Sequence, residues 1–201
     1  MMKKITLVLM ALIAAITLQA QNATTILDKA AATLKSAGNV KIGFSFQAEG
    51  SSSSGYIRLQ RQKFVINTGG SIIWFDGKTM WTYVKANEEV NVTTPSADAV
   101  AKMNPYSFLS FYKNGYTARM GKSTGKNYEV LLTGKKDALY KTVTVHINKS
   151  NHIPSLIIMT PQKGSTTTIR CTSFAKNQKY TSSTFQFNQK NYPDVEIVDL
   201  R

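Results

Sequence analysis

Cysteine is almost absent from this chain of 201 residues. Cys171 stands alone, which excludes an intramolecular disulfide and leaves the fold to its own core. Cys171 alternates with Ile169 and Ser173, the setting of a buried structural thiol. Histidine is nearly as scarce: His146 and His152 form no metal-spaced pair. Acidic residues number 11 against 25 basic ones. The adjacent pair Glu88-Glu89 falls at a strand end, where neighbouring side chains point to opposite faces, so it is no catalytic carboxylate pair. The nucleotide-binding loop G-x-x-x-x-G-K-[ST] is missing. No nucleophile–base or metal constellation can be assembled, so the sequence reads as a protein without an enzymatic role, cofactor or metal.

Long hydrophobic runs are missing too, apart from the first twenty residues. There Lys3 and Lys4 precede an apolar run from Ile5 to Leu18, and Ala20 offers a small residue before Gln21. This is the pattern of a cleaved secretory signal peptide over residues 1–20. The run is short for a membrane span, which needs about 20 residues. No cysteine near the cleavage point offers a site for a lipid anchor. The expectation is an exported mature chain, residues 21–201, forming a single domain with a sizeable core. The formal charge is +14, and removing Lys3 and Lys4 leaves +12, because residues 1–20 contain no acid. The basic residues are scattered, with no tract suited to nucleic acid. Such an excess suits an anionic membrane surface, an acidic partner or plain solubility.

What is abundant is β patterning. After one helix over residues 24–37, capped at Thr24 or Thr25 and ended by Gly38, Val40, Ile42, Phe44, Phe46 and Ala48 alternate with polar residues. Gly50 to Ser54 reads as a flexible turn. The stretch from Gly55 to Thr93 reads as four or five strands, with Asp76-Gly77 as a two-residue hairpin turn. A short helix is expected over Ser96–Met103. Asn104-Pro105 starts another, rich in Tyr106, Phe108, Leu109 and Phe111 and ending before Gly115. Strands follow at 128–132, 142–147, 156–159, 166–174, 184–187 and 195–199. The fold class is therefore mainly β with helices (α+β): an antiparallel sheet, strongly curved or nearly closed, with two helical segments on or inside it.

The apolar inventory is large for such a sheet: Phe44, Phe46, Ile57, Leu59, Phe64, Ile73, Phe75, Met80 and Trp81. Ordinary core explains each one; a ligand cavity is the alternative. Arg61 bears on the choice. If its strand runs unbroken, Arg61 shares a face with Ile57 and Leu59, while Arg58 points the other way. A guanidinium on an interior face must find partners.

Several stretches together resemble the periplasmic outer-membrane lipoprotein carrier proteins, the LolA type. They are Phe44-Ser45-Phe46-Gln47, Gly55 through Arg61, Phe75 through Tyr83, Asn104-Pro105, Phe185-Gln186-Phe187 and Tyr192 through Asp199, behind a signal peptide. The resemblance implies an incomplete antiparallel β-barrel whose α-helical lid covers an apolar cavity. It implies a periplasmic monomer that takes acylated lipoproteins from an inner-membrane ABC-type release complex and delivers them to an outer-membrane acceptor. It gives Arg61 the role of locking the lid, and places Phe64, Ile73, Tyr106, Phe108 and Leu109 at or near the cavity. Gln62 departs from the proline common in the family, and Phe64 comes one residue early. The same fold also admits a periplasmic sensor or interaction module, or a carrier of another lipid.

Overall fold

The structure, a computed structural model, describes residues 22–103, 111–123 and 125–201. These fall into two compact units. The first takes in the described residues of Met1–Thr33 and Leu109–Thr168, the second those of Leu34–Phe108 and Ile169–Arg201.

The N-terminal helix, α1, covers residues 22–36, so Thr24 and Thr25 lie within it instead of capping it. Its buried residues Ala23, Leu27, Ala30 and Leu34 recur at helical spacing, and Gly38 takes the positive φ of 67° that ends it. In the first unit, β7 (Tyr116–Met120), β8 (Asn127–Gly134), β9 (Tyr140–Asn148) and β10 (Pro154–Pro161) pair antiparallel in sequence order. Val130 and Leu132 face Val145 and Val143 across β8 and β9, and all four are buried. His146 is on the other face, half-buried, with its Nε2 3.5 Å from a carboxylate oxygen of Glu129.

In the second unit, β1 (Val40–Ala48), β2 (Ser51–Gln60), β3 (Lys63–Asn67), β4 (Ser71–Phe75), β5 (Met80–Val84) and β6 (Glu89–Thr93) form an antiparallel meander. The serines at 51–54 belong to β2 and pair with Ser45 to Ala48; the turn is Glu49-Gly50, both at positive φ. After β6 comes α2 (Ala97–Met103). The expected helix after Asn104 lies outside the described residues as far as 110; residues Phe111–Lys113 form a single 3-10 turn. β11 (Thr167–Ala175) leads to a segment with two further 3-10 turns, Ser182–Phe185 and Gln189–Asn191. The strand expected at 184–187 is thus not formed. β12 (Glu196–Asp199) closes the chain and runs parallel to β6, where an antiparallel partner was expected. Within the second unit the strand order is β12-β6-β5-β4-β3-β2-β1-β11, and within the first it is β10-β9-β8-β7.

Two turns correct the sequence reading. β2 stops at Gln60, which pairs with Lys63, so Arg61 and Gln62 form the hairpin turn. Arg61 is exposed, with φ at 55°. Its guanidinium therefore does not share the face of Ile57 and Leu59 as the parity reading expected. The second is Asp76-Gly77, which belongs to a longer loop, because Phe75 pairs with Met80. The Asp76 carboxylate accepts from the backbone N–H of Lys78 at 3.0 Å and of Thr79 at 2.8 Å, and Gly77 takes a φ of 102°. Burial works against this carboxylate. The two N–H donors, Gln186 and the charge of Lys63 outweigh it and hold Asp76 below the ordinary carboxyl range.

Both turns are open to test. A non-glycine residue in the left-handed region costs roughly 1–2 kcal/mol, and glycine's extra chain entropy takes back roughly 0.5–1 kcal/mol. Arg61→Gly should leave the urea-unfolding free energy unchanged or raise it by up to about 1 kcal/mol. A clear loss would contradict the exposed turn. For Asp76, a lowered native pKa means stability that is present above the unfolded value of 3.8 and lost as pH falls through the native value. Wild type should exceed Asp76→Asn in stability at neutral pH. The gap should close on acidification below the unfolded value; a gap independent of pH would contradict the assignment.

Candidate functional site

Period-two alternation and short turns line up side chains across the second unit. One cross-strand row runs Val40, Leu59, Phe64, Phe75 and Met80. All five are buried, and the Phe64 and Phe75 rings lie 5.2 Å apart. The adjacent row on the same face is Ile42, Ile57, Ile66 and Ile73, and each of these is only half-buried. Val100 and Met103 of α2 and Phe174 of β11 pack against this face. Beyond the isoleucine row, Phe44 pairs with Gly55, with Phe46 6.3 Å from Phe44 between ring centres. Gly55 is required here: a Cβ would stand 1.8 Å from the Asn67 carbonyl oxygen and 3.0 Å from the Phe44 ring. The face is a saturated apolar row beside an incompletely covered one, with no titratable side chain in either.

Of the residues singled out from the sequence, Phe44, Phe46, Ile57, Leu59, Phe64, Ile73 and Phe75 share this face by register. Trp81 does not. It pairs with Trp74 on the opposite face, while Met80, paired with Phe75, takes the inward position. Tyr106, Phe108 and Leu109 lie outside the described residues. The sequence reading set Ile42 in line with Phe44 and Phe46 but passed over Ile66, Val100 and Met103 as members of the face; the alternation in Lys63–Asn67 carried the signal for Ile66.

The opposite face is covered by the chain after β11. Phe185 is fully buried against Val65 and Trp74. The Tyr180 ring meets Phe185 edge-on at 5.5 Å, and the Tyr180 hydroxyl donates to the Val40 carbonyl at 3.1 Å. Trp74, Phe187, Tyr192 and Tyr83 continue the aromatic cluster, with ring centres 5.0–5.9 Å apart.

In the first unit the polar groups serve structure. The Tyr112 hydroxyl donates to the Asp28 carboxylate at 2.6 Å, and Lys113 stands 3.0 Å from the same oxygen. The Tyr112 bond, then Lys113, lower the Asp28 pKa, while burial pushes the Tyr112 phenol up. Gly121-Lys122-Ser123-Thr124-Gly125 has the G-x-S-x-G spacing, which the sequence reading missed. It links antiparallel β7 to β8, whereas a nucleophile elbow needs a strand-to-helix turn. The Ser123 Oγ accepts from the Glu129 N–H at 3.2 Å, and among the described residues it bonds to neither histidine. Burial pushes the Cys171 thiol up, away from thiolate chemistry.

Among solved structures, an uncharacterized conserved protein from Thermus thermophilus matches over 89% of this chain and 99% of its own, with a TM-score of 0.60 at 12% identity. That likeness establishes a shared fold. MucB in its complex with MucA from Pseudomonas aeruginosa matches over 84% of this chain and 62% of its own, with a TM-score of 0.48 at 15% identity. A putative outer membrane lipoprotein-sorting protein domain from Vibrio parahaemolyticus matches over 86% and 98%, with a TM-score of 0.43 at 13% identity. No curated protein matches the chain in sequence. The family model described as outer membrane lipoprotein carrier protein LolA does match, over residues 13–163, well over half of the chain. With that match, on a sheet that keeps one apolar face partly uncovered, this chain belongs to the LolA family of outer-membrane lipoprotein carriers.

Proposed function

We propose that the chain is a periplasmic carrier, exported by cleavage of the signal peptide at residues 1–20. It binds the acyl chains of lipoproteins released from the inner membrane and delivers them to the outer membrane. The observation that carries this reading is the half-buried row Ile42, Ile57, Ile66 and Ile73 beside the saturated row of Leu59, Phe64 and Phe75, in a chain of the carrier family. Each CH₂ of an acyl chain taken out of water contributes about 0.8 kcal/mol, so a multiply acylated protein needs a cover in transit. The isoleucine row offers that cover without dismantling the buried row that holds the sheet together. Phe44 and Phe46 extend it toward the end of the β1–β2 hairpin. Nothing in the sequence binds a nucleotide, so the energy for loading comes from an inner-membrane ABC-type release complex, and unloading needs an outer-membrane acceptor. The carrier works as a monomer from residue 21 onward and has no role with nucleic acid.

The test adds purified mature protein to spheroplasts that display a triacylated lipoprotein. Wild type should release the lipoprotein into the medium, and mass spectrometry of the complex should find the acylated species. Ile73→Glu places a carboxylate in the half-covered row. It should fold, by circular dichroism and thermal melting, and release several-fold less. A folded wild-type protein that releases no acylated protein overturns the proposal.

A further inference from the structure

The opposite face of the second unit holds a feature that acyl-chain carriage does not use. Between β2–β4 and the covering segment lies a cavity of about 350 Å³, at the small end of ligand pockets. One wall is aromatic: Tyr56, Trp74 and Tyr192. The other is polar and comes from the covering segment, chiefly Gln186, Asn188 and Asn191. Arg58 lines the cavity from the sheet. Among the described residues no acidic side chain lines it.

Charge is the first clue. Arg58 pairs directly with Lys41 across β1 and β2. Like charges directly opposite on one face are destabilising. The two cations flank Tyr56, with the Arg58 Cζ 4.9 Å and the Lys41 Nζ 5.2 Å from its ring centre. Besides this ring contact Arg58 interacts with the Tyr180 phenol, but among the described residues no carboxylate pairs with Arg58, although it is half-buried and has five N–H donors. A half-buried guanidinium beside a second uncompensated cation favours an anion at its free donors.

The polar wall sets the rest of the ligand. The Asn188 Oδ1 is taken by the Lys190 N–H at 3.1 Å, which leaves its amide N–H₂ as a donor. The Gln186 Nε2 is taken by Asp76 at 3.5 Å, which leaves its Oε1 as an acceptor. A donor and an acceptor lining one cavity suit hydroxyl groups, which both give and accept. An aromatic acid offers no hydroxyl to either exposed carboxamide, which would keep its water. The aromatic wall suits the C–H face of a saturated ring.

We infer that this cavity is a second binding site, for a hexose-sized sugar that carries an acidic group. The oxyanion meets Arg58, the ring packs on Trp74 and Tyr192, and the hydroxyls meet Gln186 and Asn188. A carboxylate and a phosphate share that chemistry, and the experiment separates them.

Trp81→Phe protein leaves Trp74 as the single tryptophan. Its fluorescence and indole N–H resonance are followed in titrations with D-glucuronate, glucose 6-phosphate, glucose, benzoate and inorganic phosphate. At least one of the two acidic sugars should saturate the site, and which one does identifies the acid. Glucose, benzoate and inorganic phosphate should each bind at least about tenfold more weakly, the difference expected for one charged hydrogen bond or for loss of the ring contacts. Arg58→Gln should reduce acidic-sugar affinity about tenfold, to the level of glucose. Arg58→Lys should fall between, since an ammonium lacks the planar fork. Lipoprotein release from spheroplasts should be the same in Arg58→Gln as in wild type, so this site and the apolar face fail or hold separately. The inference is overturned if neither acidic sugar saturates the Trp74 signal. It is equally overturned if glucose, benzoate or phosphate binds as tightly as the acidic sugar, or if both folded Arg58 variants keep wild-type affinity.

Discussion

Register is the constraint on which the second unit depends. Val40, Leu59, Phe64, Phe75 and Met80 meet only because each strand enters at a fixed offset from its neighbour. A slip of one residue in any strand would turn its whole apolar set to the other face. The turns fix the offsets. Glu49 and Gly50 at positive φ close the β1–β2 hairpin, Arg61 at 55° closes β2–β3, and Asp76 clamps the loop before β5 with two backbone N–H bonds. The strain accepted at Glu49 and Arg61 is local. The burial it secures is spread over five strands.

Because both faces of this meander carry large apolar side chains, both need a cover, and the covers differ. On the face of Leu59 and Phe75, α2 supplies Val100 and Met103 and leaves the isoleucine row half open. On the face of Trp74, the chain after β11 lies down as an irregular strap pinned by Phe185. Crossing that face is also what allows β12 to be parallel. A parallel neighbour needs a long crossover, and residues 176–195 provide it. β12 then covers the edge of β6 that would otherwise present unpaired backbone groups, through bonds that include Glu196 N–H to the Glu88 carbonyl at 3.0 Å and Leu200 N–H to the Val92 carbonyl at 2.9 Å.

Much of this was legible in the alternation. The order of strands from β1 to β6, the shared face of Ile57, Leu59, Phe64, Ile73 and Phe75, and the opposite side for Arg58 all follow from period two. The errors had separate causes. Arg61 was assigned inward because nothing in Gly55 to Arg61 marks the strand's end; an arginine at positive φ leaves no composition signal. Trp81 was counted with the cavity residues as part of the apolar inventory, although period two argues against it: a two-residue or a four-residue loop after Phe75 alike leaves Met80, and not Trp81, on the face of Ile73 and Phe75. The serines at 51–54 looked like a flexible linker because β propensity is a weak guide where cross-strand pairing decides. The strap was illegible for another reason. Phe185 and Phe187 alternate as a strand would, yet Phe185 is a knob filling the space over Val65 and Trp74, and only tertiary packing distinguishes the two. The cavity beside it joins residues more than 100 positions apart in the chain, such as Arg58 and Asn191.

The separation of the two rows on the carrier face resolves a tension in any protein that must both bind and let go. Were the cargo to contact the same side chains that hold the sheet together, an empty protein would expose its own core and a loaded one would gain stability with every chain it held. On the proposed reading the buried row would keep its contacts whether or not the isoleucine row were occupied. Ligand affinity would then come from the surplus that Ile42, Ile57, Ile66 and Ile73 still expose, and any segment that covered them in the empty state would compete for that surplus and lower the apparent affinity. On the proposed reading, a sheet built on one saturated row and one unsaturated row would be stable without cargo and hold cargo only moderately, which is the condition for handing it on.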